Sequence, residues 1–316
     1  MPDNKSIIRS WSVTADTLNI LRCPHDGSKL KCEENGLQCT KNIHHFYPVK
    51  RSIPRFVPDD GYVESFSYEW TVHHQTQLDS YTGDNSSAEQ FFSKTGLTKQ
   101  DLAGKLVLDA GVGAGRYSDI MTSFGANVFG VDLSFAVDSA WNNLKQTNCF
   151  STVQADISKL PFEKKSFDFI VSIGVLHHTP DTRRYFEMLV PYLKPGGEIA
   201  IWVYPDAGDY ATRARWIPFV SRIPQTFFYT WCRWFVPLMH SINECKLQKY
   251  IQKVFPYSNQ GLGLENDILD TFDGYSPKYH GVHTPKEVHK WFSELGMENI
   301  HSPSEWDTCM RGRKPL

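Results

Sequence analysis

The alternation of short apolar runs with helical segments, which begins at residue 105 of this 316-residue chain, most constrains how the chain can fold. The apolar runs predict strands at residues 106–109, 127–132, 152–155, 167–173 and 198–204. All but the third are nearly continuous apolar runs, as is typical of strands that are covered by helices on both faces. Strands that alternate with helices build βαβ units. The sequence therefore predicts a doubly wound α/β sheet that is mostly parallel.

The chain divides into four predicted segments around this sheet. Residues 1–60 form a short module, and residues 61–204 contain a cover segment followed by the sheet core. Residues 205–280 contain six prolines and many aromatic residues, and they are predicted to form an α-helical cap inserted after the fifth strand. In residues 281–316, Thr284 and Pro285 are predicted to begin a helix as its N-cap and first residue, and one or two closing strands are expected between residues 299 and 313.

A glycine-rich turn follows the first predicted strand in the run VLDAGVGAGR, residues 107–116. Gly111, Gly113 and Gly115 let the backbone turn tightly and let a ligand approach the main chain. Their spacing is one residue shorter than the dinucleotide fingerprint, so a nicotinamide or flavin site loses its main support. A tight strand-to-helix connection without a ligand is the alternative interpretation.

Three acids follow three consecutive predicted strands. Asp109 precedes the glycine turn, where a carboxylate repels a pyrophosphate but favours an ammonium group. Asp132 ends the second strand, where an acid can accept hydrogen bonds from both hydroxyls of a ribose. Asp156 follows the third strand. Because open α/β sheets bind ligands at the carboxyl ends of their strands, these acids predict a site for a ligand with adenosine and amino-acid parts.

The runs VLDAGVGAGR, GVDLS, QADISKLPF, FDFIVSIGVLHHTPD and LKPGGEIAIWVY resemble the class I S-adenosylmethionine-dependent methyltransferases, in their small-molecule subfamily. The resemblance implies a Rossmann-like sheet with a closing antiparallel strand, S-adenosyl-L-methionine as cofactor and S-adenosyl-L-homocysteine as product. It also implies that Asp109 and the three glycines surround the methionine moiety, that Asp132 holds the ribose, and that Asp156 with Ile157 faces the adenine. The residues that complete the implied cofactor site are Arg116, Leu133, Ile173 and Gly174.

Candidates for catalysis and acceptor binding lie near the ends of the later strands. Methyl transfer is an in-line displacement, so a general base is needed only if the acceptor must lose a proton. His177 and His178 follow the fourth strand and are the candidate bases, although they can equally shape the loop. The candidate acceptor-binding residues, for which ordinary packing is the alternative, are Tyr68, Trp70, His74, Tyr204 and Tyr279. The acceptor atom, O, N or C, stays open.

The N-terminal module resembles small zinc-ribbon proteins and the zinc-bearing N-termini of some ribosomal-RNA methyltransferases. It keeps Cys23 and Cys39, the first cysteine of each knuckle, but Asp26 and Asn42 occupy the second positions. A tetrahedral cysteine-rich site therefore lacks its usual atoms. Cys23, Cys39 and either His44 or His45, with Cys32 as a spare, form the alternative zinc site. The prediction is a degenerate ribbon without a metal.

The charge balance and the apolar segments limit the other functions. The formal net charge is −2 without a long basic run, so we expect a small-molecule acceptor and no nucleic acid partner. The first ten residues lack the apolar core of a secretory signal, and no uncharged run in the cap approaches the length that spans a bilayer, so a cytoplasmic protein is predicted.

The cap predicts a hydrophobic or aromatic acceptor, because it is expected to fold over the cofactor site as an apolar lid. A homodimer interface and a patch that rests on a membrane surface are alternative roles for its apolar residues. An RNA-modifying methyltransferase, suggested by the ribbon, is the second hypothesis for the whole chain. A non-catalytic binding or scaffold protein with the same fold is the third.

Overall fold

The computed structural model describes residues 11–57, 78–242, 246–259, 263–304 and 308–316. The described chain begins with a short helix, α1 (Ala15–Asn19), and a small antiparallel sheet in the order β1-β2-β3-β4. The strands of this sheet are β1 (Leu30–Glu33), β2 (Gly36–Cys39), β3 (Phe46–Lys50) and β4 (Ile53–Pro54). Residues 11–57, which contain this small antiparallel sheet, are called the ribbon module.

A seven-stranded sheet forms the centre of the molecule. Its strands are β5 (Leu106–Ala110), β6 (Asn127–Asp132), β7 (Phe150–Gln154), β8 (Phe167–Ile173), β9 (Leu193–Trp202), β10 (Glu298–His301) and β11 (Cys309–Arg313). They lie in the order β10-β11-β9-β8-β5-β6-β7. Strands β5 to β9 are parallel, and β11 pairs antiparallel with both β9 and β10. The predicted α/β, Rossmann-like sheet with its closing antiparallel strand is confirmed.

The observed strand bounds agree with the predicted ones for some strands, and other strands begin earlier. Strands β6 and β8 have the predicted bounds, whereas β7 begins two residues early and β9 five residues early, at Leu193. The early start of β9 takes in Pro195, Gly196 and Gly197, residue types that are typical of a turn. Here the β8–β9 register shifts between Phe167 and Phe169, and Gly196 has a φ of 72°. An irregular pairing thus keeps the proline and the glycines inside the strand.

Helices cover both faces of the sheet. On one face lie α3 (Ser86–Thr95), α5 (Arg116–Ser123) and α6 (Ala136–Leu144), whose buried residues join one apolar cluster. The other face carries α7 (Thr182–Leu189) and α12 (Pro285–Glu294). Two short helices, α2 (Asp79–Thr82) and α4 (Lys99–Leu102), flank α3. Four further helices, α8 to α11, belong to the cap. Helix α12 begins as predicted, with the Thr284 side chain accepting the Glu287 N–H.

The ribbon module is attached to the edge of the large sheet at β7. Arg55 bridges Gln154 in parallel, and Phe56 N–H donates to the Gln154 carbonyl at 2.8 Å. The buried Arg55 guanidinium also pairs with Asp138 at 2.7 Å. Apolar residues of the module, such as Leu21 and Leu37, belong to the same apolar cluster as the sheet. The module therefore covers an edge strand that would otherwise present unpaired backbone groups.

The cap consists of α8 (Gly208–Val220), α9 (Gln225–Ser241), α10 (Lys246–Val254) and α11 (Leu264–Asp273). It has an apolar cluster of its own, to which Phe228, Cys232 and Phe272 belong. Pro218 and Pro237 lie inside helices. Both lie in the last turn or two of their helices, so each ring removes a backbone hydrogen bond only near the helix end. In the ranges described, no helix has the length and apolar character needed to cross a membrane.

Candidate functional site

A cavity of about 480 Å³ lies at the carboxyl ends of β5 and β8. Strand β5 pairs with β6 on one side and β8 on the other, so the connections leaving β5 and β8 diverge to opposite parts of the sheet. Such a switch point leaves a crevice in which open α/β sheets bind their ligands. The residues that connect these strands to the next elements, 111–114 after β5 and 173–175 after β8, form one wall of the cavity.

The glycine turn forms its part of the wall with the main chain. Gly111, Gly113 and Gly115 have φ values of 93°, 52° and 94°, a backbone region in which a side chain is strained. A Cβ atom on Gly111 would also lie 2.3 Å from a methyl group of Val175. Gly115 is the N-cap of α5, and the side chain of Arg116, the first residue of that helix, lines the cavity.

Asp132 ties the glycine turn to the end of β6. Its Oδ2 accepts the Gly113 N–H at 3.0 Å, and its Oδ1 accepts the backbone N–H and the hydroxyl of Ser134 at 2.9 and 2.7 Å. A carboxylate has about four lone-pair positions, so three bonds leave room for a further donor. Burial raises the pKa of Asp132, while these donors lower it.

Asp109 and Asp156 occupy different environments. Asp109 is buried, accepts the Ser118 hydroxyl at 2.6 Å and does not line the cavity. Burial raises the pKa of Asp109 to about 7. Asp156 is half-buried, and its Oδ1 accepts the Ser158 N–H at 2.7 Å at the start of a short helical turn. The buried Ile157 follows it directly.

The two candidate bases are enclosed in an aromatic cluster beside the cavity, not on its wall. His177 is fully buried and stacks on Tyr204 with the ring centroids 3.6 Å apart. In the described part of the chain neither of its ring nitrogens has a hydrogen-bond partner. His178 Nδ1 lies 3.0 Å from the Tyr279 carbonyl oxygen. Burial lowers the pKa of His178 to about 4 and lowers that of His177 as well.

The cavity brings together some of the residues predicted from the sequence and not others. The predicted residues that line it are Gly111, Gly113, Arg116, Ile173, Gly174 and Tyr204. Those that do not line it are Asp109, Gly115, Asp132, Leu133, Asp156, Ile157, His177, His178 and Tyr279. Tyr68, Trp70 and His74 lie outside the described residues.

A charged group from the cap, which was not predicted, forms another part of the cavity wall. Arg213 comes from α8, and Asp270 and Asp273 lie at the end of α11. The Arg213 guanidinium lies against Gly274. A Cβ atom added to that glycine would lie 2.4 Å from Arg213 Nη1. Burial raises the pKa of each acid to about 6, and their mutual repulsion adds to this for Asp270. The spacing of three between these acids on one helix was the available sequence signal.

Residues 108–201 match a family model described as a methyltransferase domain. The match runs from β5 through β9 and contains the glycine turn, Asp109, Asp132 and Asp156. This segment is a class I S-adenosylmethionine-dependent methyltransferase domain. The parallel strands of this segment, and the antiparallel strand β11 that closes the sheet from outside it, agree with the sheet that the resemblance implied.

Curated relatives resemble part of the chain. A ubiquinone biosynthesis O-methyltransferase of Coxiella burnetii is 37% identical over 100 residues, which are 31% of this chain and 43% of the relative. Phosphoethanolamine N-methyltransferase 2 of Caenorhabditis elegans is 33% identical over 107 residues, 32% of this chain and 24% of the relative. The chloroplastic tocopherol O-methyltransferase of Arabidopsis thaliana is 29% identical over 185 residues, 54% of this chain and 53% of the relative. The chain thus spans about half or less of the length of these relatives.

The residues of the methyltransferase domain fit S-adenosylmethionine. The wall formed by residues 111–114 exposes main chain where side chains would exclude a ligand, and the guanidinium of Arg116 can oppose a carboxylate. The acids at the ends of β6 and β7 supply acceptors for hydroxyl and amino groups. This donor set suits an adenosyl group with an amino-acid tail better than a pyrophosphate.

Proposed function

We propose that this protein transfers the methyl group of S-adenosylmethionine to a small acceptor in the cavity at the ends of β5 and β8. One observation supports this most strongly: a main-chain glycine wall and a charged cap wall face the same space of about 480 Å³. The first wall suits the cofactor. The second suits an acceptor with polar groups.

The cofactor contacts follow from the strand ends. In this proposal Asp132 accepts the ribose hydroxyls, and Asp156 with Ile157 faces the adenine. Arg116 pairs with the carboxylate of the methionine moiety. Asp109 supports the cofactor site indirectly, because its carboxylate accepts the Ser118 hydroxyl and does not line the cavity.

The acceptor is proposed to carry an aromatic ring with a polar substituent such as a hydroxyl. The rings of Trp202, Tyr204 and Tyr210 line the cavity and lie within 6.1 Å of one another, measured between centroids. A ring can stack on such a surface. Arg213 and the two cap acids supply polar partners. The names of the ubiquinone and tocopherol relatives, both O-methyltransferases, are in keeping with this class of acceptor.

The chemistry assigned to the chain is positioning and proton removal. Bound S-adenosylmethionine would supply an electrophilic methyl group, whose carbon–sulfur bond breaks to leave S-adenosylhomocysteine. The aromatic surface holds the acceptor oxygen in line with that methyl group, which is the main source of rate enhancement in a displacement. Asp270 or Asp273 accepts the hydroxyl proton as the oxygen forms its new bond to carbon. A carboxyl with a pKa of about 6 is a stronger base than an ordinary one and is still ionised at neutral pH.

Asp132→Ala tests the cofactor site. We expect it to weaken S-adenosylmethionine binding by about 1 to 3 kcal/mol, the cost of losing a charged hydrogen-bond acceptor. Isothermal titration calorimetry measures the difference. Asp206→Ala, which removes an exposed acid in the segment after β9, is the matched control. Equal affinity in Asp132→Ala and the wild type would overturn the ribose assignment.

Four broader expectations from the sequence stay predictions. A homodimer through the cap is supported by a row of exposed apolar side chains along α9, in which Phe227 is 68% and Trp234 is 78% exposed. Their spacing of seven puts them on one helix face. A cytoplasmic location, the segment boundaries and the absence of a nucleic acid partner rest on the sequence alone.

A further inference from the structure

The ribbon module gathers four side chains of metal-binding type at one end of its small sheet. Cys23, Asp26, Cys39 and His45 each offer one ligand atom, and these atoms all lie within 4.8 Å of one another. The Cys23 sulfur lies 3.3 Å from His45 Nδ1, and the Cys39 sulfur lies 3.5 Å from Asp26 Oδ2. Ligand atoms that lie about 2 Å from one central ion in a tetrahedral site have separations of about this size.

Two similar turns present the two sulfurs. Cys39 accepts the backbone N–H groups of Lys41 and Asn42, each at 3.4 Å. Cys23 begins a turn closed by the Gly27 N–H at 2.8 Å, and the N–H groups of His25 and Asp26 hydrogen-bond its sulfur. The module therefore has two knuckles that face each other.

Asp26 explains how the site is completed without a second cysteine in the first knuckle. It stands where the second cysteine of a zinc knuckle would be, and its carboxylate points to Cys39 across the cluster. Carboxylate oxygen is an ordinary zinc ligand. His45 replaces the missing ligand of the second knuckle, and Asn42 contacts its other ring nitrogen at 3.2 Å and so orients the ring.

The two sulfurs of the cluster are buried, although the module is built on strands of only two to five residues. Two buried sulfurs, a carboxylate oxygen and an imidazole nitrogen make a set of four zinc ligands. We propose that Cys23, Asp26, Cys39 and His45 bind one structural Zn²⁺ ion, with both thiol protons released to solvent. This reverses the prediction of a ribbon without a metal.

The matched variants come from the same module. Cys32 is half-buried on β1 and His44 is exposed, and neither belongs to the cluster. Cys23→Ser and His45→Ala should abolish the site, whereas Cys32→Ser and His44→Ala should leave it intact. These pairs separate loss of a ligand from general loss of a thiol or an imidazole.

The experiment measures zinc in the full chain by mass spectrometry after reduction and dialysis against metal-free buffer. We expect about one equivalent in the wild type, in Cys32→Ser and in His44→Ala, and little in Cys23→Ser and His45→Ala. Refilling the chelator-treated wild type with Co²⁺ should give the visible bands of tetrahedral cobalt and a thiolate charge-transfer band. Chelation should also lower the melting temperature.

Two results would overturn the proposal. The first is a reduced wild-type protein that holds no zinc and gives no cobalt–thiolate band, a result that does not depend on whether any variant folds. The second is undiminished zinc in Cys23→Ser with Cys39→Ser. Because metal content is measured without S-adenosylmethionine, neither result depends on the proposed methyl transfer.

Discussion

Asp270→Asn combined with Asp273→Asn is expected to lower kcat/KM for methyl transfer to a hydroxyl acceptor by about 10²–10⁴-fold, the usual range for losing a general base. Both acids line the cavity, and each has its pKa raised to about 6. Asparagine keeps the shape and the polarity of the side chain but accepts no proton. Steady-state assays with a confirmed acceptor measure the effect, and it should fall mainly on kcat.

The pH dependence of the rate distinguishes a base from a binding group. The wild-type rate should fall as the pH drops through about 6, because the acids become protonated. The double variant should lack this acidic limb.

The folded double variant should gain stability at neutral pH, although its rate of methyl transfer falls. A carboxyl whose pKa is higher in the folded than in the unfolded state stabilises the fold most at low pH, and this stability is lost as the pH rises through the folded pKa. The variant should therefore be more stable than the wild type at pH 7, by on the order of 1 to 3 kcal/mol.

Two single substitutions complete this experiment. Asp206→Asn changes an exposed acid of the cap and should leave the rate unchanged. His178→Ala tests the other candidate base, whose ring is bonded to the Tyr279 carbonyl and does not line the cavity. If His178→Ala removed the acidic limb while the acid double variant kept full activity, the base would be the histidine and the assignment to the acids would be wrong.

Gly111→Ala is expected to destabilise the folded protein by on the order of 2 to 5 kcal/mol and to abolish detectable S-adenosylmethionine binding. The backbone term comes from a φ of 93°, and the steric term from a Cβ placed 2.3 Å from a methyl group of Val175. Because the turn forms the cavity wall, any shift that relieves the contact moves the surface that binds the cofactor. Urea unfolding and titration calorimetry measure the two effects.

The control for Gly111→Ala separates its two causes. Gly296, which follows α12, also has a positive φ, 67°, but a Cβ there would meet nothing within 4 Å. Gly296→Ala should therefore show the backbone cost alone and leave the cofactor affinity unchanged. Adding Val175→Ala to Gly111→Ala should recover part of the stability. Equal losses in Gly296→Ala and Gly111→Ala would contradict a steric role for the turn.

The sequence predicted the parts of the structure that depend on local pattern. The apolar runs of β6 and β8 gave their bounds, because strands buried on both faces need continuous apolar residues. The glycine turn was also identifiable, since its positive φ angles require glycine at fixed spacing. Its place on the cavity wall then followed from the order of the strands.

The sequence did not predict contacts made between distant segments. Arg213 and Asp270 lie 57 positions apart in the numbering and reach one cavity only because the cap folds over the sheet. Helix periodicity does not specify that approach. In the ribbon module, counting cysteines missed Asp26, since a carboxylate in a turn resembles any surface acid until its distance to Cys39 is known.

Isothermal titration of the full chain with S-adenosylhomocysteine tests the central claim most directly, with NAD as the comparison ligand. We expect saturable heat corresponding to about one site per chain for S-adenosylhomocysteine and none for NAD, because the glycine turn and the acids at the strand ends suit an adenosyl amino acid and disfavour a pyrophosphate. Binding of NAD with no heat from S-adenosylhomocysteine would contradict the account.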